Sequence, residues 1–346
     1  MPFSIDIEVT NRCNAKCHFC PRDRTPHQGL MTPEVFAKSL ERAVEYRQIC
    51  LDRLDGDSVV SLCGLGEPLL NRHLPDYVRL VREAGLEVTV SSNGSLLTEG
   101  WGRRLLDAGL QKIYLNVGEE GDDYEEIYQL PFQKTLENVV RFNEMAEGSC
   151  EVTVVLVDHR KDPAHVERMR DYWTDHGIKH THSYEVMNRG GALFVDHMQY
   201  ESYPELASAA AQLQARVGTP LCGAPVAFLF IGYNGEYYLC CSDWEKQAPM
   251  GSVFDVSFLD VTEAKLSHLV SRSPVCETCN LDPINILTEE LRAEAQGLVA
   301  PGTAAAKLDS LVEGSRVVHG IIEGLGFTVP EPVAGVQRRL IPVRSE

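Results

Sequence analysis

The stretch Ser4-Ile-Asp-Ile-Glu-Val-Thr10-Asn-Arg-Cys13-Asn-Ala-Lys-Cys17-His-Phe-Cys20 reads as one short strand running straight into a loop that bears three thiols. Ser4 to Thr10 alternates apolar and polar side chains, the period of a strand with one buried face. Working outward, strand-like and helix-like segments alternate over the first two hundred residues. Thr32-Pro33 opens a helix, with Thr32 as N-cap, Pro33 in the first turn and Val35, Phe36, Leu40, Ala43 and Val44 as its apolar stripe. Ser58 to Leu62 is a strand ending at Cys63-Gly64-Leu65-Gly66, and a helix from Leu74 to Ala84 stops at Gly85. Strands follow at Leu86 to Ser91, Lys112 to Val117, Glu151 to Val157 and Lys179 to Met187. Helices between them start at the cap Thr98 and span Phe132 to Met145 and Pro163 to His176. Six strands separated by five helices predict an α/β fold with parallel pairing and right-handed crossovers. An open doubly wound sheet and a partial barrel both fit, and both place ligands at the C-terminal ends of the strands.

The rest of the chain has a different texture. Ala227 to Ile231 and Glu236 to Cys241 read as two strands joined by Tyr233-Asn234-Gly235, a hairpin signal. A helix near Thr262 to Ser271 leads into Cys276-Glu-Thr-Cys279. Beyond Leu287 the chain reads as helical, with Ala304 to Leu325 one long helix and Pro330 to Glu346 extended.

Composition narrows the function. The 346 residues are 44% hydrophobic, enough for a sizeable core. A net charge of −18 disfavours nucleic-acid binding, which needs a surplus of Lys and Arg. No apolar run approaches the ~18 residues that cross a bilayer, and no secretory signal opens the chain, so a cytoplasmic location without membrane contact is expected. Eleven cysteines in a reducing compartment point to metal ligation, catalysis or burial, not disulfides.

Cys13, Cys17 and Cys20 put three thiols within eight residues. Soft sulfur ligands suit iron, and three of them on a cubane leave one iron open to a ligand. A structural zinc site would need a fourth donor, and His18 lies too close in sequence to share the ion. The seven-residue set is completed by Cys222, Cys240, Cys276 and Cys279, successive intervals being eighteen, thirty-six and three residues. Four thiolates close a coordination shell, and on chemistry alone zinc and a 4Fe-4S cluster both fit.

These motifs resemble those of the radical S-adenosylmethionine (SAM) enzymes, whose signature is Cys-x3-Cys-x2-Cys with an aromatic residue, here Phe19, before the third cysteine. The resemblance extends through the six-strand region. Gly64-Leu65-Gly66-Glu67-Pro68 is similar to the family's glycine-glutamate-proline motif for the SAM amino group, although Gly64 and Gly66 alone would also suit a tight turn. Ser92, Asn93 and Asn116, at the ends of the third and fourth strands, match polar SAM contacts less closely, and Arg189 at the end of the sixth is placed to meet a SAM or substrate carboxylate. The resemblance implies a partial (β/α)6 TIM-like barrel over 1–200, a small α+β domain of the SPASM/twitch type over 215–285 and a helical C-terminal extension over 286–346. It implies SAM and two 4Fe-4S clusters, one binding SAM through Cys13, Cys17 and Cys20 and one auxiliary at Cys222, Cys240, Cys276 and Cys279. It also implies a flavodoxin- or ferredoxin-type electron donor.

The implied chemistry is a 5′-deoxyadenosyl radical that takes hydrogen from a substrate carbon. Cys241 is a candidate hydrogen-atom donor, which would make the outcome an epimerisation; a small buried residue is the plainer reading. Cys63 has the same two readings, while Cys50 and Cys150 read as core or surface. Asp243, Trp244 and Glu245 either touch a substrate or form a solvated turn, the plainer reading, and Arg22 and Arg24 either pair with a carboxylate or solvate the loop. The chain opens almost at its first strand, which favours a small polar substrate of carbohydrate or aminocyclitol type, dehydrogenated or epimerised. A maturase acting on a ribosomally made peptide and a non-catalytic zinc or cluster module are the competing classes.

Overall fold

The computed structural model describes residues 3–193 and 204–329. Strands β1 (Phe3–Ile7), β2 (Ser58–Leu62), β3 (Glu87–Ser92), β4 (Lys112–Asn116), β5 (Glu151–Asp158) and β6 (His180–Glu185) pair in sequence order, all parallel. On the other side of β1, β7 (Phe228–Ile231) adds in parallel, and β8 (Glu236–Tyr238) and β9 (Pro249–Ser252) continue antiparallel. The order β6-β5-β4-β3-β2-β1-β7-β8-β9 leaves the sheet open, so the barrel is partial as expected.

The helices that cross between the first six strands are α1 (Pro33–Arg53), α2 (Leu74–Glu83), α3 (Glu99–Asp107), α4 (Gly121–Tyr128), α5 (Phe132–Met145) and α6 (Pro163–Asp175). Their starts follow from local chemistry. Thr32 accepts a hydrogen bond from Val35 N at 3.3 Å, Thr98 from Trp101 N at 3.4 Å, and Asp162 from Ala164 N at 3.0 Å. One face of the sheet is apolar: Ile5, Ile7, Val60, Leu62, Val88, Val90, Ile113 and Leu115 have no exposed surface. The alternate positions of β1 to β4, Val59 excepted, carry polar groups. Thr89 Oγ1 donates to Ser61 Oγ at 3.1 Å, and Asn116 Nδ2 donates to Ser91 Oγ at 3.0 Å. Period-two alternation therefore separates an apolar face from a polar one.

The chain folds as two compact units, 1–186 with 228–258 and 187–227 with 259–346. The second unit holds α7 (Pro204–Val217), α8 (Ala224–Ala227), α9 (Phe258–Ser271, from Leu259 on), α10 (Pro274–Thr278), α11 (Pro283–Ala295) and α12 (Thr303–Gly324). It is built around two apolar clusters, one of Ala209, Leu213, Ile284, Leu287 and Val312, the other of Leu221, Leu266, Leu269, Val318 and Ile322. Among the described residues no helix is long and apolar enough to cross a membrane.

Several boundaries differ from the sequence expectation. The acidic segment of α4 shows too short an apolar stripe to announce a helix; only Tyr124, Ile127 and Tyr128 are buried. The second hairpin strand stops at Tyr238, and a turn in which Asp243 N donates to Cys240 O takes over. Helix α11 begins at Pro283, earlier than Leu287, because Asp282 caps it through Ile284 N at 3.0 Å. The expectation for Pro330 to Glu346 lies outside the described residues.

Phe36 of α1 stacks on Tyr77 of α2 at 3.9 Å, and Tyr77 OH donates to Met31 O at 2.9 Å. Phe36→Ala is expected to cost about 3–5 kcal/mol in urea unfolding. A loss below about 1 kcal/mol would mean that this stack does not hold α1 to α2.

Candidate functional site

The three-cysteine loop leaves β1 and returns to it through a pinned neck. Thr10 bridges Leu30, Thr10 Oγ1 donates to Gly29 O at 2.6 Å, and Asn11 both donates to His27 O at 2.6 Å and accepts from Gly29 N at 2.8 Å. Beneath the neck lies the Gly64 to Pro68 loop. Glu67 N donates to Arg12 O at 2.8 Å, and a Cβ on Gly66 would sit 2.4 Å from Arg12 O and 2.6 Å from Thr10 O. Those obstacles are backbone, which cannot swing aside, so glycine at 66 is a steric requirement.

Within the loop Cys20 N donates to Cys17 O at 3.1 Å, Ala15 N to Cys13 Sγ at 3.4 Å, and Arg22 to Cys13 O at 2.9 Å. Arg22 thus braces the loop from inside, whereas Arg24 reaches Glu245 at 3.8 Å. Burial pushes the Cys13 thiol up to about 11 and raises that of Cys17 further, and in both the neighbouring cysteines add to the rise. Such thiols become thiolates together only against added positive charge, which an iron–sulfur core supplies. Among the described residues no three His, Cys, Asp or Glu side chains converge on one metal ion. Ligands that each take a separate iron of a cubane do not need to converge in that way, whereas four donors on one zinc do.

Glu67 is fully buried. Its carboxylate accepts from Leu69 N at 3.0 Å, Ser92 Oγ at 2.8 Å and Asn93 N at 2.7 Å, so it caps the turn Pro68–Leu70 and ties β2's loop to the end of β3. Burial raises its pKa, against these three donors. Asn93 Nδ2 donates to Asn14 Oδ1 at 2.9 Å and approaches Cys13 Sγ at 3.9 Å, and its Oδ1 accepts from Ser95 Oγ at 2.7 Å. Asn14 in turn donates to Ser95 Oγ at 2.9 Å. Cys13, Glu67, Ser92 and Asn93 therefore form one network. Asn14 and Ser95 belong to it as well and went unnoticed in the sequence, because lone Asn and Ser residues in loops carry no signal of their own. Asn116 stands on the polar face beside Ser91, while Arg189 belongs to the second unit, in a turn with φ +53°.

The turn after β8 departs from expectation at Asp243 and Trp244 but not at Glu245, whose side chain is 35% exposed. Asp243 and Trp244 are buried, with Asp243 accepting from Gln247 N at 2.8 Å and Ala248 N at 2.9 Å, and Trp244 O accepting from Thr25 at 3.1 Å. The turn delivers Lys246, which sequence reading missed. Its Nζ lies 3.7 Å from the Glu8 carboxylate and over the rings of Tyr238 and Phe230, at 4.0 and 4.6 Å. That carboxylate stands just beyond hydrogen-bond distance of the ammonium. Burial lowers the Lys246 pKa, while Glu8 and Asp243 oppose that fall. Cys63 is pushed well up by burial, with the charges of Asp6, Cys241 and Glu8 acting in the same direction. Cys63 and Lys246 thus both feel the charges of Glu8 and Cys241.

In the second unit, Cys222 lies within electrostatic reach of Cys276 and Cys279, and burial raises the Cys222 thiol and takes Cys276 up to about 12. Asn285 Nδ2 donates to the carbonyls of Cys279 at 2.8 Å and Glu277 at 3.0 Å, and Arg272 holds Asn285 and Asp282 at 3.0 and 2.7 Å. Cys240 belongs to the first unit, just after β8.

Residues 7–172 match the family model described as "Radical SAM superfamily", and residues 222–280 match one described as an iron–sulfur cluster-binding domain, SPASM. A "Tungsten-containing aldehyde ferredoxin oxidoreductase cofactor-modifying protein" from Pyrococcus furiosus is 28% identical over 32% of this chain and 29% of its own length. A "Probable GTP 3',8-cyclase" from Methanococcus maripaludis is 27% identical over 41% of this chain and 45% of its own. The match thus spans less than half of either relative. The structure of Streptococcus suis SuiB bound to precursor peptide SuiA has a TM-score of 0.58 at 14% identity, covering 84% of this chain and 73% of that one, a likeness of fold.

Gly66→Ala is expected to cut iron and sulfide bound after anaerobic reconstitution severalfold. Gly100→Ala, where an added Cβ meets nothing within 4 Å, serves as its control and should load fully. Equal loading of the two would show that the neck tolerates displacement.

Proposed function

Since the chain belongs to the radical SAM superfamily and carries a SPASM-type iron–sulfur domain, we propose that it epimerises a small polyhydroxylated substrate of carbohydrate or aminocyclitol type, with Cys241 as the hydrogen donor. Cys13, Cys17 and Cys20 would hold the SAM-binding cluster, and Gly66, Glu67, Ser92 and Asn93 would shape the place of SAM beside it. Bound there and given one electron through the reduced cluster, SAM would break its sulfonium C–S bond, release methionine and supply the 5′-deoxyadenosyl radical that removes hydrogen from a substrate carbon.

The observation that carries the reading is the company of Cys241: a half-buried thiol whose charge acts on both Cys63 and Lys246, the latter 3.7 Å from the Glu8 carboxylate. A thiol there can return a hydrogen atom to a carbon radical, breaking S–H and forming C–H on the opposite side of that carbon. The sulfur radical left behind must then gain one electron and one proton, and the SPASM-type segment or an external flavodoxin- or ferredoxin-type donor is the electron source. Lys246 offers donors to a substrate oxygen, with Glu8 and Asp243 as its counter-charges. A peptide substrate would gain little from so compact a set of charges, and SuiB's own peptide is a fact about SuiB alone.

Reconstituted protein is expected to hold about eight irons per chain and, with reductant and SAM, to release 5′-deoxyadenosine. With carbohydrates and aminocyclitols in D2O, the product should carry one deuterium at the inverted carbon, taken from the exchanged Cys241 thiol. Cys241→Ala should abolish both inversion and deuterium uptake. Inversion by that variant, or a ketone formed by the unaltered protein, would overturn the epimerase reading.

A further inference from the structure

Phe19, the aromatic residue inside the cysteine loop, leans on a side-chain system that lies outside the motifs already described. Its ring meets Tyr128 edge-on at 5.4 Å and stacks on the His159 imidazole at 5.5 Å, with the planes 25° apart. The same loop is fastened to the end of α4 through its backbone, Lys16 N donating to Tyr128 O and His18 N to Ile127 O. Tyr128 OH accepts from Gly118 N at 2.9 Å, which joins this contact to the exit of β4.

Behind His159 stands Glu119, a carboxylate with a side chain only 2% exposed. One of its oxygens meets His159 Nε2 at 2.7 Å, and the other meets His165 Nε2 at 2.8 Å and Arg160 at 3.2 Å. The proton on His165 can be assigned. Arg168, which can only donate, reaches His165 Nδ1 at 3.1 Å, so Nδ1 accepts and Nε2 carries the hydrogen given to Glu119. Arg160 also pairs with Asp123 at 2.7 Å, anchoring the group to α4. A buried carboxylate satisfied by three donors is a rigid hub, and it fixes the plane of the imidazole against which Phe19 rests.

We propose that Glu119 is a positioning residue for SAM binding: through His159 it holds Phe19, and with it the cysteine loop, in the form that receives the cofactor. The inference rests on the reading of that loop as the SAM site. Removal of an outer-shell partner of a metal ligand costs roughly 10–100-fold in affinity, and a support one contact further out belongs at the lower end of that range.

The experiment is a double-mutant cycle on the SAM dissociation constant, followed by the change that SAM makes in the electron paramagnetic resonance spectrum of the reduced cluster. Iron and sulfide content are checked for each variant. Glu119→Ala and His159→Ala should each weaken SAM about tenfold, and the double variant should be no weaker than either, since one acts through the other. His159→Phe, which keeps a ring against Phe19, should bind SAM within about threefold of the unaltered protein. Glu119→Gln should recover part of the loss, because its amide NH2 can donate to His159 Nε2 in the other tautomer while its oxygen still accepts from His165; it also replaces Glu119→Ala in the cycle if the latter does not fold. Additive losses, or a fully loaded Glu119→Ala protein with unchanged SAM affinity and only a lower melting temperature, would overturn the proposal. Failure of the unaltered protein to bind SAM would instead overturn the reading of the loop on which it rests.

Discussion

The backbone contact between Gly66 and the neck of the cysteine loop is the constraint on which the rest of the first unit depends. The carbonyls of Thr10 and Arg12 lie where a side chain at 66 would have to be, and Glu67 N completes the contact by donating to Arg12 O. Two loops, from β1 and β2, are thereby locked together through main chain. The side-chain network of Glu67, Ser92, Asn93 and Asn14 then extends the lock to β3. Main-chain contacts are short and stiff, so thiols carried on such a loop hold their mutual placement without depending on flexible side chains.

The sheet supports this arrangement by having two unlike faces. Parallel sheets ordinarily bury both faces in apolar material. Here β1 to β4 bury Ile5, Val60, Val90 and Ile113 on one side and carry Asp6, Ser61, Ser91 and Asn116 in the alternate positions. The added strands β7 and β8 contribute aromatic rings, and the buried ammonium of Lys246 rests over two of them. Burying charge in this way costs stability unless a counter-charge stands close, and Glu8 and Asp243 supply it.

Reading from residues worked where the information is local. The N-caps Thr32 and Thr98, the glycine stop at Gly85 and the extents of β2 and α5 came out as expected, because capping and periodicity depend on neighbours a few positions away. The three-cysteine loop was visible for the same reason. Helix α4 was missed because only three of its side chains are buried, and the turn at Asp243 was mistaken for surface because acidic residues ordinarily face water.

Alternation of hydrophobic and polar residues, capping chemistry and cysteine intervals were enough to predict a parallel α/β architecture and to single out two sets of cysteines. All three act over a few bonds or a few turns of chain. The pairing of Glu8 with Lys246 and the gathering of His159 and His165 around Glu119, with His159 against Phe19, could emerge only on folding. Those partners are distant in the chain and meet because β7 pairs with β1 and β4 with β5, and no local pattern encodes a contact made by strand order.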